Sequence, residues 1–259
     1  MANRVAPKAK PSALYLYGIT QKKVSLAPDL VGVDGRASLE AMECEDLVCW
    51  ISRVDKSEFA DNLARNMENL DWLAEASVRH QRAVSAIAEQ AEILPARLGT
   101  IFLSPSSLEA DVRKKKRILE ADFSSIKDSD EWGVKVFAVA NKPALPAEAL
   151  KSGKDYLKAK AAKLQKPATK GPDPEIERFA EALGRIAVRT ADGGKISGAQ
   201  RGLKWQTSLL LKRADRRKLE ALLTKFSKEW EDVRRIECSG PWPPYSFVTR
   251  ASAESGVNG

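Results

Sequence analysis

From Glu131 to Cys238 the apolar positions change spacing along the chain, and this change limits the fold more than any other sequence feature. Glu131-Trp132-Gly133-Val134-Lys135-Val136-Phe137-Ala138-Val139 alternates like a strand. Asp173 followed by Pro174 suits a cap and a first helical residue, which predicts a helix from Glu175. A short strand near Val188, a strand over 203–211, a helix over 215–230 and a strand over 233–238 follow. Strand, helix, strand, strand, helix, strand is the order of a split βαβ, or ferredoxin-like, unit. The Pro-, Ala- and Lys-rich stretch 142–170 interrupts it, with a helical insertion predicted over 155–165. Ala191 to Gly198 reads as a flexible loop.

The first half offers similar elements in a different order. Strands are predicted over 14–20, 39–44 and 47–54, the last two joined by a tight turn at Glu45-Asp46 that lacks Gly or Asn. Ser57 is a candidate cap for a short helix to Arg65, and Asn69 for a longer one to Gln90. On that longer helix Leu70, Leu73, Ser77, His80, Val84, Ile87 and Ala91 share one face, predicted to be buried. Residues 93–102 read as one strand, bent at Pro95 and Gly99. Ser104-Pro105 opens another helix, with Ser106 and Glu109 as an alternative capping box, and its Arg113-Lys114-Lys115-Lys116-Arg117 run should face water. A chain of 259 residues suits two domains. The predicted fold class is α+β: a tail over 1–12, a domain over 13–128, a ferredoxin-like domain over 129–249 and a tail over 250–259.

No apolar stretch reaches the roughly 20 residues needed to cross a bilayer, and the first ten residues lack the apolar core of a secretion signal. The expected compartment is the cytoplasm, where Cys44, Cys49 and Cys238 would be reduced thiols filling space. The net charge of +8 concentrates in two clusters, Lys151 to Lys170 and Arg201 to Lys218. Solvated faces are the favoured reading of both. A polyanion-binding module is the alternative, because such patches attract nucleic acid through long-range fields.

Catalytic candidates are few, and no metal or cofactor site is predicted. His80 is the only imidazole and sits on the apolar seam of its helix, so a core or interface histidine satisfied by one hydrogen bond is favoured over a general base. The Cys44/Cys49 spacing fits no zinc knuckle. Gly193 to Gly198 has the wrong spacing for a phosphate-binding loop. The acid pairs Asp130/Glu131 and Glu231/Asp232 read as ordinary solvated carboxylates at element ends. Trp132 and Phe137 differ in parity and would project from opposite sheet faces, which excludes shared stacking of RNA bases.

Gly240-Pro241-Trp242-Pro243-Pro244-Tyr245-Ser246-Phe247 joins three prolines to three aromatics. Proline lacks an amide donor, so the run cannot sit centrally in a sheet. Its rings are predicted to plug a core edge, with a partner-docking ridge as the other reading. The run resembles the C-terminal motif of the gas vesicle GvpF/GvpL family. Leu16-Tyr17-Gly18, Asn69 to Leu73 with His80, Ile93 to Phe102 with Arg97 and Gly99, Glu131 to Val136 with Trp132 and Gly133, and Gly153 to Leu157 are similar to family segments in the same order. Arg201 to Ser208 departs from the family's usual strand. The resemblance implies a non-enzymatic accessory or minor structural protein of gas vesicles, without cofactor. Two α+β domains are implied, the second a modified ferredoxin-like fold. The implied partners are the shell protein and other accessory proteins, and the implied place is the gas vesicle in the cytoplasm, at the gas-facing surface of the shell. The C-terminal run, Arg97, Gly99, Trp132 and Gly133 are the implied signature and partner-contact residues.

Overall fold

The computed structural model describes residues 11–139, 173–192 and 200–248. These fall into two compact units, one of residues up to Glu131 together with those from Pro241 onward, the other of Trp132–Gly240. The predicted helix over 155–165, the lysine cluster before it and after it, the Gly153 to Leu157 motif and most of the 191–198 loop lie outside the described residues.

The first unit is built on an antiparallel sheet in the order β2-β3-β1-β4, with β5 also paired to β1. β1 is Ser12–Thr20, β2 Glu40–Cys44, β3 Leu47–Asp55, β4 Ile93–Pro95 and β5 Ile101–Phe102. β1 is buried from Ala13 to Thr20. Its odd-numbered Tyr15 and Tyr17, with Val48 and Trp50 of β3, join Ala76, Ala83, Val84 and Ile87 of helix α2 (Leu70–Ala88) in one core cluster. Leu14, Leu16, Cys49 and Ile51 point the other way and are buried too, on the side of helix α3 (Pro105–Ile126), which contacts β2, β4 and β5. Cover on both faces explains why these strands read as nearly continuous apolar runs.

Local chemistry sets the helix starts. The Asn69 side chain accepts from the Asp71 and Trp72 amides, and Ser104 forms a capping box with Ser107 rather than leaving that role to Ser106 and Glu109. Ser57 does not cap: Asp55 accepts from the Ser57 and Glu58 amides instead, starting a π-helical turn (Ser57–Asp61) that leads into α1 (Leu63–Glu68). The expected single strand over 93–102 is two, because Gly99 at φ +79° turns the chain between β4 and β5. The tight turn forms at Glu45-Asp46, with Glu45 at φ +57°. The run on α3 faces water as expected at Arg113, Lys114 and Arg117, while Arg113 reaches Glu45, Lys116 reaches Asp46 and the half-buried Lys115 folds back on Asp111.

The buried face of α2 is also rotated from the expected seam. Ala76, His80, Ala83, Val84 and Ile87 face inward, while Leu70 is 77% exposed. Of the cysteines, Cys44 and Cys49 are buried, but Cys238 is exposed and is not the packing group expected.

The second unit's elements run β6 (Ser129–Ala138), α4 (Pro174–Ile186), β7 (Arg189–Asp192), β8 (Leu203–Lys212), α5 (Arg216–Glu229) and β9 (Arg234–Trp242). The sheet order is β7-β8-β6-β9. β9 extends to Trp242, beyond the expected limit, and takes in Pro241. That proline is tolerated because β9 lies at the sheet edge. One sheet face buries Val134, Val136, Leu209 and Leu211 against α4 and α5. At its centre Phe179 meets Phe226, Trp230 and Trp205 with ring centroids 4.8, 5.3 and 5.9 Å away. Phe137 lies off this cluster, under the Arg235 guanidinium, which agrees with the parity argument.

Candidate functional site

Segments from opposite ends of the first unit converge on the one histidine. Strand alternation turns Tyr15 and Tyr17 toward α2, and helical periodicity places His80 to meet them. Tyr15 Oη lies 2.8 Å from His80 Nδ1, and the Tyr17 ring stacks on the imidazole at 5.8 Å. After β9 the chain winds tightly: the Tyr245 amide donates to the Pro243 carbonyl at 2.8 Å and the Phe247 amide to the Pro244 carbonyl at 3.1 Å. This winding brings Tyr245 Oη to 3.3 Å from His80 Nε2 and 3.4 Å from Gln81 Oε1.

Donor counting fixes the direction of the chain of bonds. The Gly99 amide donates to Tyr15 Oη at 3.2 Å, leaving the Tyr15 hydroxyl proton for His80 Nδ1. The ring proton then belongs on Nε2, facing Tyr245 Oη, whose own proton goes to Gln81. His80 is only 4% exposed. Burial lowers its pKa to about 4, with a hydrogen bond to the Ala96 backbone pushing the other way. Burial also raises Tyr15 and Tyr245, and pushes Tyr17 up to about 12. Tyr17 Oη accepts the Val33 amide at 2.7 Å and bonds Ser52 Oγ at 2.8 Å.

A second latch lies beside the first. Glu131 is buried, and its carboxylate accepts the Ser246 amide at 2.8 Å and the Ser246 hydroxyl at 2.6 Å. It is not the solvated carboxylate expected. The imidazole is engaged at both nitrogens, once more than expected, and is neutral at pH 7. Its one proton is the Nε2–H held toward Tyr245 Oη, and its Nδ1 lone pair is already occupied by the Tyr15 hydroxyl. Among the described residues no group of three or more His, Cys, Asp or Glu could hold a metal ion, and no helix is long and apolar enough to cross a membrane.

The network's strength is open to a direct check. Tyr15→Phe keeps the ring but strands the Gly99 amide and His80 Nδ1, each at about 1–3 kcal/mol. Denaturant unfolding should show a loss of roughly 2–6 kcal/mol on that basis, and a loss below about 0.5 kcal/mol would mean that the bonds contribute little.

The residues picked from sequence are divided by the structure. Tyr245, Ser246 and Gly99 meet at the His80 network and Glu131. Pro243, Pro244 and Phe247 are buried. Trp242 is not buried with them: it is 44% exposed, and Gly240 at φ +138° and Pro241 lead into it. Arg97 is exposed, and its carbonyl closes a turn by accepting the Thr100 amide and hydroxyl. Trp132 and Gly133 lie on β6 in the second unit, where Arg216 stands over the Trp132 ring at 5.7 Å. Sequence reasoning missed Tyr15, Gln81 and Glu131. The first had a signal, since a buried tyrosine hydroxyl needs a partner and the chain holds a single histidine on a buried seam.

The family described as "Gas vesicle synthesis protein GvpL/GvpF" matches residues 13–249. The chain belongs to that family. Among its GvpL/GvpF relatives, gas vesicle protein L of a Streptomyces species is 27% identical over 90% of this chain and 92% of its own length. Gas vesicle protein F2 of Halobacterium salinarum is 24% identical over 92% of each. The crystal structure of GvpF from an Anabaena species superposes with a TM-score of 0.66 at 16% identity, covering 93% of this chain and 100% of that one. GvpF from Microcystis aeruginosa gives 0.64, also at 16% identity, covering 91% and 98%. These two share the mixed α+β fold, and the GvpL/GvpF assignment sets the chain's role in gas vesicle formation.

Proposed function

We propose that the chain is a non-enzymatic accessory protein that binds the gas vesicle shell protein and fellow accessory proteins, restraining their aggregation while the shell is built. Family membership supports the setting. The observation that carries the binding reading is the division of the C-terminal run. Tyr245 and Phe247 are held inside the first unit, which leaves Trp242 outward on a proline-stiffened mount. A large ring presented with little ordering entropy left to lose is an efficient anchor. The element order and the β7-β8-β6-β9 sheet order support a ferredoxin-like reading of the second domain. On this reading the domains divide near residue 128, and the run from Pro241 folds with the first.

A gas-vesicle-forming host lacking this gene should make few or no vesicles, and the wild-type chain should restore them. Trp242→Ala should restore them poorly although the purified variant keeps its stability within about 0.5 kcal/mol, as an exposed substitution should. Normal vesicles in the deleted host would sink the proposal.

A further inference from the structure

Helix α2 carries a second apolar stripe, opposite the face that packs on the sheet. Leu70 and Val78 are its large members, 77% and 68% exposed, and the exposed Ala74 lies between them. The stripe ends in charges of opposite sign, the exposed Asp71 at the N-terminal end and the exposed Arg82 further along. At about 3.6 residues per turn these two are close to three full turns apart, on nearly the same line of the helix and about 16 Å from each other. Neither side chain has an ion-pair partner among the described residues.

We infer that two copies of this chain pair through this face of α2, antiparallel about a two-fold axis. The charges select that occupant. A two-fold axis crossing the helix midway between Asp71 and Arg82 sets each carboxylate against the other copy's guanidinium, so one surface is complementary to itself, as an isologous contact requires. The same axis places Val78 over the Ala74–Glu75 turn of the second copy, where the small Ala74 permits close approach. Leu70 then covers the aliphatic stem of the opposing Arg82. A parallel pair would set Asp71 against Asp71 and Arg82 against Arg82. The stripe is narrow compared with the faces of permanent dimers, so the pair forms and dissociates with concentration. This inference does not depend on the shell-binding proposal.

Sedimentation equilibrium of the full chain over a wide concentration range tests it. The weight-average mass should climb from 28.5 kDa toward twice that value. Val78→Glu should raise the apparent dissociation constant at least tenfold with an unchanged circular dichroism melt. Asp71→Lys and Arg82→Glu should each weaken pairing, and the double variant should restore it. A chain that stays monomeric throughout, or a dimer untouched by Val78→Glu, would overturn the inference. A double variant no better than the singles would overturn the antiparallel arrangement.

Discussion

Lowering the pH from 7 to 4 should remove about 3 kcal/mol of stability through His80 alone. An unfolded chain protonates its imidazole near pH 6.5, whereas burial holds the folded ring at about 4. Between these values the unfolded state binds the extra proton, so stability falls as the pH drops through the window and is fully present above it. Of the groups facing the ring only the Ala96 backbone favours the charge, and burial outweighs it; Tyr15, Tyr17 and Tyr245 are neutral hydroxyls with raised pKa values, and Gln81 is an amide. A protonated ring would also turn Nδ1 into a donor facing the Tyr15 hydroxyl, which would then have to give up its present direction. Urea unfolding at a series of pH values measures this. His80→Gln should flatten the pH 6.5 to 4 slope toward what the carboxylates contribute. Because His80 is the chain's one histidine, its NMR titration has a single imidazole to follow. A midpoint near 6.5 would show that the ring is wet and free to act as a base.

Phe179→Ala should be the most damaging single change in the second unit, at about 3–5 kcal/mol. The ring is fully buried and touches three aromatic rings, two of which, Phe226 and Trp230, also pack on each other, so the cavity has little freedom to collapse. Trp230→Phe, one neighbour away, should cost far less. It gives up part of an apolar surface but also removes an indole N–H that is buried without a hydrogen-bond partner among the described residues. Comparing the two variants by chemical denaturation separates loss of packing from loss of a side chain as such. Equal losses would mean that the indole N–H is satisfied after all.

The elements were legible wherever the signal is local. Asn69, Ser104 and Asp173 cap the helices that follow them, as their residue types predict, because each accepts amides two or three residues away. The edge position demanded by Pro241 also followed from one residue's chemistry. What failed depends on partners distant in sequence. Leu70 fits the apolar spacing of α2, yet whether it faces the sheet depends on where β1 and β3 lie, and the small residues Ala76 and Ala83 take the inward positions instead. Glu131 resembles any strand-end carboxylate until Ser246 arrives from the far end of the chain to occupy it. The same applies to the C-terminal run: spacing cannot show that Tyr245 reaches His80 while Trp242 turns outward, since His80 lies 165 residues earlier. The motif identified the family, but the division of labour inside it required the fold.

The most direct test of the account is retention of purified gas vesicle shell protein, and of fellow accessory proteins, by the immobilised chain at moderate salt, with single-stranded nucleic acid run in parallel. The account predicts that the shell protein or an accessory protein is held, that Trp242→Ala weakens this at unchanged stability, and that nucleic acid passes through. Retention of nucleic acid with release of every gas vesicle protein would contradict it.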